Sequence, residues 1–500
     1  EAGTYEINKK LRIIGGEKLE GKYQITGNFE INAYVTFRNL VLQDTSIGKG
    51  VLDVLADKVT VKLENVEVVQ KATGTGDTLT TAATGIIVRG SYVHLTLTES
   101  SIRLTSSYVR GIVGIGTHFT VLLDDTIITN SAVDIATGRG ISASHIDLSI
   151  INNSVVEKFK YAVNLIDGLP LESIIKIENS AVHGFAALNI RQKSHIIVNR
   201  SALRSTNIYS GDSDGFATIV IESMATDTTL DIKNSTISAV KKGVAVQYLF
   251  SLRSRVTLTQ ENNTYEQAEA GNYYMSVYAL ADETITDVLL RTPENSAIHL
   301  VGNKTYTGDV QINQSVTLVS KEQTVIEGQV KVVSDIHTLM LTNIKIINLT
   351  NPALKVSSEV NVQRFVLERV ELEGFKTIYI ADGKGDSSVN HLEIRNSKFS
   401  SNYAIYVDHK VSNLILTDNE FTVVNGNRGI VFGFYGGTAF EITDNTFIAG
   451  EGANAETVYF KAEYLDGTTN VIDFGNILEN NTFPENAIIE DKVIIVKAQG

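Results

Sequence analysis

Several things are missing from this chain of 500 residues, and each absence excludes a class of protein. It contains no cysteine, which excludes a disulfide framework and any zinc or iron–sulfur site with cysteine ligands. It has no apolar run of about 18 residues or more, so the sequence predicts no direct membrane insertion. With a net charge of −14 and no basic run, nucleic acid and anionic lipid are both poor partners.

The same absences bear on location. Many exported bacterial proteins do without disulfides, so a large acidic chain without cysteine favours an extracellular or cell-surface protein; a cytosolic protein without cysteine is the alternative. Neither end shows a charged segment followed by an apolar one, as a secretion signal would. Any such signal is therefore expected to have been cleaved or to lie outside this sequence.

What the chain does contain is a repeat. An alternating apolar strand, a turn residue and a second short strand recur at intervals of 21 to 36 residues. The turn residues are Asn39, Asn65, Ser100, Asp125, Asn153, Asn179, Arg200, Asn234 and Asn263, then Asn343, Arg369, Asn396, Asn419, Asn445 and Asn481. Asparagine suits a tight corner because it tolerates a left-handed backbone.

The strands are rich in Val, Ile and Thr, and no helical period separates them. A strand at a fixed place in each coil can pair only with its counterparts one coil away, about 4.8 Å above and below. The pattern therefore predicts a parallel β-helix in which alternating residues such as Leu63 and Leu416 point inward.

The beginning of the pattern occurs twice. The segment from Gly3 resembles the segment from Lys304, and each leads into its own series of corners. A short helical stretch, Glu283 to Arg291, precedes the second start and ends before Pro293. We predict an all-β chain of two tandem right-handed parallel β-helices: residues 1–280, whose N-terminal cap is missing, and residues 281–500, which begin with a capping helix. We also expect further protein to precede residue 1.

These residues resemble the pectate-lyase-like superfamily of right-handed parallel β-helices, and in particular its bacterial cell-surface and adhesin-type members. The Gly-Thr-Tyr start, the paired alternating strands and the asparagine corners carry the resemblance over nearly the whole chain. The superfamily contains lyases, hydrolases, epimerases, adhesins and envelope proteins, so the resemblance implies a fold and leaves the activity open.

No catalytic residue is assigned. The Asn-Thr-Asp, Gly-His-Gly and Arg-Ile-Lys signatures of polygalacturonases are absent, and the tryptophan signature of pectate lyases cannot occur in a chain without tryptophan. The pair Asp124 and Asp125 occupies a corner, where a structural role is expected. The nine histidines, among them His94, His195 and His391, show no metal-ligand spacing.

No metal ligand and no cofactor is assigned either, although calcium stays open at two loops. Gly211 to Gly215 places two aspartates two residues apart, and Asp382 to Asp386 is a looser version. Solvated turns are the alternative at both.

Aromatic residues offer a route to sugar binding. Tyrosines cluster where coils lengthen, and exposed rings there would stack on sugar faces. The candidate carbohydrate-binding residues are Tyr273, Tyr274, Tyr435 and Tyr459, against the alternative that these rings belong to the core.

The sequence leaves three functions open. The first is a noncatalytic extracellular module of a bacterial surface protein, with an adhesin, surface-layer or spacer role. Its partners would be a polysaccharide or another cell-surface component and the neighbouring domains of a longer chain. The second is a carbohydrate-active enzyme, a polysaccharide lyase or glycoside hydrolase acting along a groove. The third is a virion fibre.

Overall fold

The computed structural model describes residues 3–496 apart from several internal segments. The segments outside the description are 17–20, 133–136, 167–170, 207–216, 223–224, 226, 240–241, 247–255, 268–274, 382–387, 409, 424–427, 435–438, 453–456, 465–471, 486 and 492. The chain divides into two compact units, Glu1–Ser276 and Val277–Gly500, called here the first and second unit.

Each unit is a parallel β-helix whose coils contribute strands to three sheets. We name these sheets A, B and C in the order in which a coil passes through them, and number strands in chain order. Sheet A of the first unit contains β2 (Leu11–Ile14), β4 (Val35–Arg38), β7 (Thr60–Glu64), β10 (His94–Thr98), β13 (Phe119–Asp124), β16 (Ile146–Ile151), β18 (Ser173–Glu178), β20 (Ser194–Asn199), β23 (Thr228–Lys233) and β26 (Val256–Glu261).

The other two sheets of the first unit share three long strands. Sheet B contains β3 (Tyr23–Ile31), β5 (Leu40–Asp44), β8 (Glu67–Gln70), β11 (Ser101–Leu104), β14 (Ile127–Asn130), β17 (Val155–Leu165), β19 (Ala181–Ile190), β21 (Ala202–Ser205), β24 (Thr236–Ala239) and β27 (Thr264–Gln267). Sheet C contains β1 (Gly3–Ile7), β6 (Gly50–Val54), β9 (Ala83–Val88), β12 (Val109–Gly114), β15 (Arg139–Ala143), β22 (Ala217–Ile221) and β25 (Lys242–Val246), together with β3, β17 and β19. Strand β28 (Met275–Tyr278) comes next in the chain.

The second unit begins with helix α1 (Ile285–Arg291) and repeats the arrangement with longer strands. Its sheet A contains β29 (Ser296–Leu300), β32 (Val316–Glu327), β34 (Ile336–Val356), β35 (Val362–Glu368), β37 (Ser388–Arg395), β39 (Lys410–Thr417) and β42 (Ala439–Thr443). Sheet B adds β30 (Thr305–Thr307), β36 (Glu371–Ala381), β38 (Lys398–Asp408), β40 (Glu420–Val423) and β43 (Thr446–Ala449) to β32 and β34. Sheet C contains β31 (Val310–Ile312), β33 (Val330–Val332), β41 (Arg428–Phe434) and β44 (Val458–Tyr464) with parts of β34, β36 and β38.

The described strand pairs are parallel until the end of the second unit. There α2 (Phe474–Glu479) is followed by the hairpin β45 (Ala487–Glu490) and β46 (Val493–Val496), and β46 runs antiparallel to β44. The expected class, an all-β chain of two parallel β-helices with a short helix before the second, is confirmed.

The core consists of rows of apolar residues stacked from coil to coil. Leu63 pairs in register with Phe37 before it and Leu97 after it, and none of the three has measurable exposure. Leu416 lies in the equivalent row of the second unit, between Ile394 and Ile442. The inward direction predicted for Leu63 and Leu416 is correct.

The corners between sheets A and B contain left-handed residues, as the asparagine pattern predicts. Positive φ angles occur at Asn39, Asn65, Glu99, Asp125, Asn152, Asn153, Asn179, Arg200, Asn234, Asn262, Asn343, Arg369, Asn396, Asp418 and Asp444. At Ser100, Asn263, Asn419 and Asn445 the prediction is one residue late. Each of those side chains follows the left-handed residue and turns towards the interior, where Ser100, Asn419 and Asn445 are at most 5% exposed.

Helix α1 lies at the start of the second unit. Thr284 caps it through a capping box with Asp287, and its apolar residues Ile285, Val288 and Leu289 are buried. Of the helices that the structure describes, none is long and apolar enough to cross a membrane.

Candidate functional site

The tyrosines expected to bind carbohydrate do not form an exposed group in the structure. Tyr273, Tyr274 and Tyr435 lie outside the described residues. Tyr459 is only 1% exposed, and burial raises the pKa of its phenol. At the start of β44 both Tyr459 and its neighbour Phe460 are buried, so the Tyr459 ring belongs to the core.

The two calcium candidates, Gly211 to Gly215 and Asp382 to Asp386, also lie outside the described residues. Within the described part of the chain, no group of three or more histidine, aspartate or glutamate residues is placed to hold a metal ion. Asp125 is a left-handed corner residue, and the carboxylate of Asp124 accepts a hydrogen bond from the Asn152 side chain at 2.8 Å. Both aspartates are thus structural parts of the corner.

A different set of aromatic residues is gathered on the outward face of sheet C in the second unit. Strand pairing places Lys331, Lys355, Tyr379 and Tyr406 in one row that runs from coil to coil. Alternation along β36 buries Ile378 and Ile380 and leaves Tyr379 half-exposed between them. Tyr406 lies between Ile405 and Val407 in the same way, so the two rings project on the outer side of neighbouring coils.

The rings and lysines of this face are in mutual contact. Tyr379 and Tyr406 are stacked, with ring centroids 5.4 Å apart and planes 15° apart, and Phe375 lies edge-on to Tyr403 at 6.2 Å. We call these four rings and the two lysines beside them, Lys355 and Lys376, the aromatic–lysine patch.

Lys376 is at the centre of the patch. Its Nζ lies 4.7 Å from the centroid of Tyr379, 5.4 Å from Tyr403, 5.7 Å from Tyr406 and 5.9 Å from Phe375. Lys355 Nζ lies 5.8 Å from the Tyr379 ring. Such cation–π contacts hold the ammonium groups against the ring faces and orient the side chains without a carboxylate partner.

The charge of the patch contrasts with that of the chain. Among the described residues, no carboxylate forms an ion pair with Lys331, Lys355 or Lys376, although the chain as a whole has a net charge of −14. Phe375 is 44% exposed and the three tyrosines are half-buried. The arrangement offers flat apolar faces beside fixed positive charges, which is suited to sugar rings and to anionic groups attached to them.

Sequence reasoning missed this surface because it searched for tyrosines adjacent along the chain. The available signal was the same position in successive repeats: Tyr379 in the run Thr-Ile-Tyr-Ile and Tyr406 in the run Ala-Ile-Tyr-Val. Only the register of β36 against β38 makes these two residues neighbours.

A second polar cluster lies on the outward face of sheet A in the same unit. His391 was expected to stand alone, but its Nε2 lies 2.9 Å from Glu393 and its Nδ1 lies 2.9 Å from the Asn413 side-chain nitrogen. Arg395 donates to Glu393 at 2.6 Å. Although burial by itself would raise the pKa of Glu393, hydrogen bonds from His391 and Arg395 hold it below its usual value.

Both ring nitrogens of His391 are thus engaged within the protein. A general base needs a lone pair that can reach the substrate, and His391 offers none in this arrangement. The cluster is best described as a hydrogen-bonded ion network that ties β37 to β39.

Comparisons with known proteins add little on activity. No protein-family model matches this chain, and no curated protein matches it. Among solved structures, the PL6 family alginate lyase AlyGC is similar over 90% of this chain and 86% of that chain, with 10% identity and a TM-score of 0.26. A likeness of that degree says nothing about what this chain binds or catalyses.

Proposed function

We propose that the chain is a noncatalytic extracellular module of a bacterial surface protein, with an adhesin, surface-layer or spacer role, and that its second unit binds polysaccharide through the aromatic–lysine patch. One observation carries the binding: two stacked tyrosines and two further rings surround Lys376 on an open sheet face. The absence of cysteine and the acidic composition support the location.

The shape of the face favours an extended chain over a small molecule. The row of outward residues continues before the tyrosines as Lys331 and Lys355; beyond Tyr406 it passes the buried Val431 and reaches Lys461 two coils later. Coils of a β-helix repeat every 4.8 Å or so, so a polymer lying along the axis would meet several such positions. Because Lys331, Lys355 and Lys376 have no described carboxylate partner, the face favours glycans with carboxylate or sulfate groups over neutral ones.

The test is binding of the full chain to a panel of neutral, carboxylated and sulfated polysaccharides, followed by calorimetry on the tightest binder. We expect Tyr379→Ala and Tyr406→Ala each to weaken binding about tenfold, since each removes a stacking face and part of the support of Lys376. Tyr23→Ala is the matched control, because Tyr23 is a 46% exposed tyrosine of the first unit. If all three variants bound as wild type, the patch would not be the binding surface.

The noncatalytic part of the proposal has its own readout. The same polysaccharides are incubated with the chain, and new reducing ends and unsaturated sugar products are measured over time. We expect neither product. Turnover would instead establish the carbohydrate-active enzyme that the sequence left open.

A further inference from the structure

The outward face of sheet A in the first unit contains a pocket that the proposed function does not use. It has a volume of about 430 Å³ and is formed where β2, β4 and β7 lie side by side. Its lining includes Lys10, Arg12, Tyr34, Thr36 and Lys62. Pockets of this size accommodate a sugar-sized ligand.

Register explains why basic side chains converge there. Arg12 pairs with Thr36, and Thr36 pairs with Lys62, so the three side chains form one outward row across successive coils. Lys10 lies two residues before Arg12 on the same face, with its Nζ 5.0 Å from the centroid of the Tyr34 ring. The Thr36 hydroxyl donates to the Tyr34 hydroxyl at 3.2 Å.

The described lining of the pocket carries more positive than negative charge. Among the described residues, Lys10, Arg12 and Lys62 form no ion pair. Glu64, the one carboxylate in the lining, lies 3.8 Å from Arg38, which is outside the pocket. These three cations line the same pocket, and a bound anion would lower the repulsion among their charges.

We propose that this pocket binds the anionic group of a charged sugar residue, at a site separate from the aromatic–lysine patch. The Arg12 guanidinium supplies the two parallel donors that match a carboxylate or sulfate. Lys62 and Lys10 add point charges, and the Tyr34 hydroxyl, which accepts from Thr36, is placed to donate to a hydroxyl group of the sugar ring. A carboxylate and a sulfate ester share this chemistry.

The experiment uses the full chain carrying Tyr379→Ala and Tyr406→Ala, so that binding at the patch is suppressed. Oligogalacturonate, a sulfated oligosaccharide, a neutral oligosaccharide and inorganic sulfate are titrated by calorimetry at low and at physiological salt. We expect saturable binding of at least one anionic oligosaccharide, weaker at higher salt, and none of the neutral one. Which anionic oligosaccharide binds distinguishes carboxylate from sulfate.

Adding Arg12→Gln and Lys62→Gln to that chain is expected to weaken the binding about tenfold or more. The matched control adds Lys321→Gln and Lys410→Gln, which remove the same charge at two exposed lysines of the second unit and should change affinity less than twofold. If the two variants lost affinity equally, the effect would be one of net charge alone and the proposal would be wrong. The proposal would also be wrong if inorganic sulfate bound as tightly as the oligosaccharides, or if no anionic oligosaccharide bound at all. Because the patch is already disabled, these outcomes are independent of whether the patch itself binds polysaccharide.

Discussion

At the scale of single residues, the position after the left-handed corner residue has a specific task in many coils. There the backbone N–H donates to the side chain of the equivalent residue one coil later. Ser180 N donates to Ser201 Oγ at 3.1 Å, and Ser201 N donates to Ser235 Oγ at 3.1 Å. A buried N–H without a partner is costly, so a small polar residue at this position stabilises the coil before it.

In the second unit asparagine side chains accept these backbone N–H bonds, and each also donates a bond of its own. Asn419 N donates to Asn445 Oδ1 at 3.1 Å, and Asn445 N donates to Asn481 Oδ1 at 2.9 Å. The Asn445 side-chain nitrogen in turn donates to the carbonyl of Leu416 at 2.9 Å. These asparagines are thus a hydrogen-bonded row in the interior and not a set of turn residues.

This row gives a prediction at the residue scale. Asn445→Ala would leave the Asn419 N–H and the Leu416 carbonyl without these partners inside the protein, so we expect a loss of about 2 to 3 kcal/mol in the free energy of unfolding. Chemical denaturation of the two proteins measures it. Asn390→Ala is the control, because the Asn390 side chain donates to the Gln363 side chain on the surface and its backbone is not left-handed, so its loss should cost about 1 kcal/mol or less. Equal effects would contradict the special role of the buried row.

At the scale of elements, a buried ion pair between Glu283 and Arg291 stabilises the cap of the second unit, which consists of α1 and the residues just before it. Glu283 is 2% exposed, and its carboxylate accepts from Arg291 at 2.6 and 2.8 Å and from the backbone N–H of Leu280 at 2.9 Å. The pair therefore joins the segment before α1 to the end of the helix, and Lys304 of the first coil donates to the Glu283 carbonyl at 2.7 Å. Tyr306 in that coil is 4% exposed, whereas Tyr5, its counterpart in the repeated start of the first unit, is 40% exposed.

The cap therefore depends on the ion pair. Arg291→Met would leave a buried carboxylate without its partner, and we expect it to cost about 3 to 5 kcal/mol in the stability of the second unit. The double variant with Glu283→Gln should recover part of the loss, because the uncompensated charge is gone. Thermal unfolding measures both variants, and a single variant as stable as wild type would show that the pair does not hold the cap.

At the scale of the whole molecule, each unit has its own core and coils that contact mainly their neighbours. A charge buried in one row should therefore disrupt adjacent coils of that unit first. We expect Leu63→Asp to destabilise the first unit by several kcal/mol and so lower the midpoint temperature of its thermal transition. Leu416→Asp should do the same to the second unit. Calorimetry with limited proteolysis assigns each transition. A single shared transition that moved equally in both variants would show that the units unfold as one.

The sequence by itself determined the class of fold, because alternation, β-branched strands and recurring corners are local properties that repeat along the chain. It also located the capping helix and the inward leucines. It placed four corner residues one position late, since a turn pattern does not show which of two adjacent residues adopts the left-handed backbone. It also assigned Tyr459 to a surface when that ring is buried.

The tertiary structure alone decided which surface residues meet. Tyr379 and Lys376 of one coil are brought against Tyr406 of the next, and Arg12 and Lys62 also come from different coils. A shift of one residue in pairing would send each of these side chains to the other face of its sheet. Register arises from packing the whole stack of coils, and for that reason no local reading of the chain revealed the patch or the pocket.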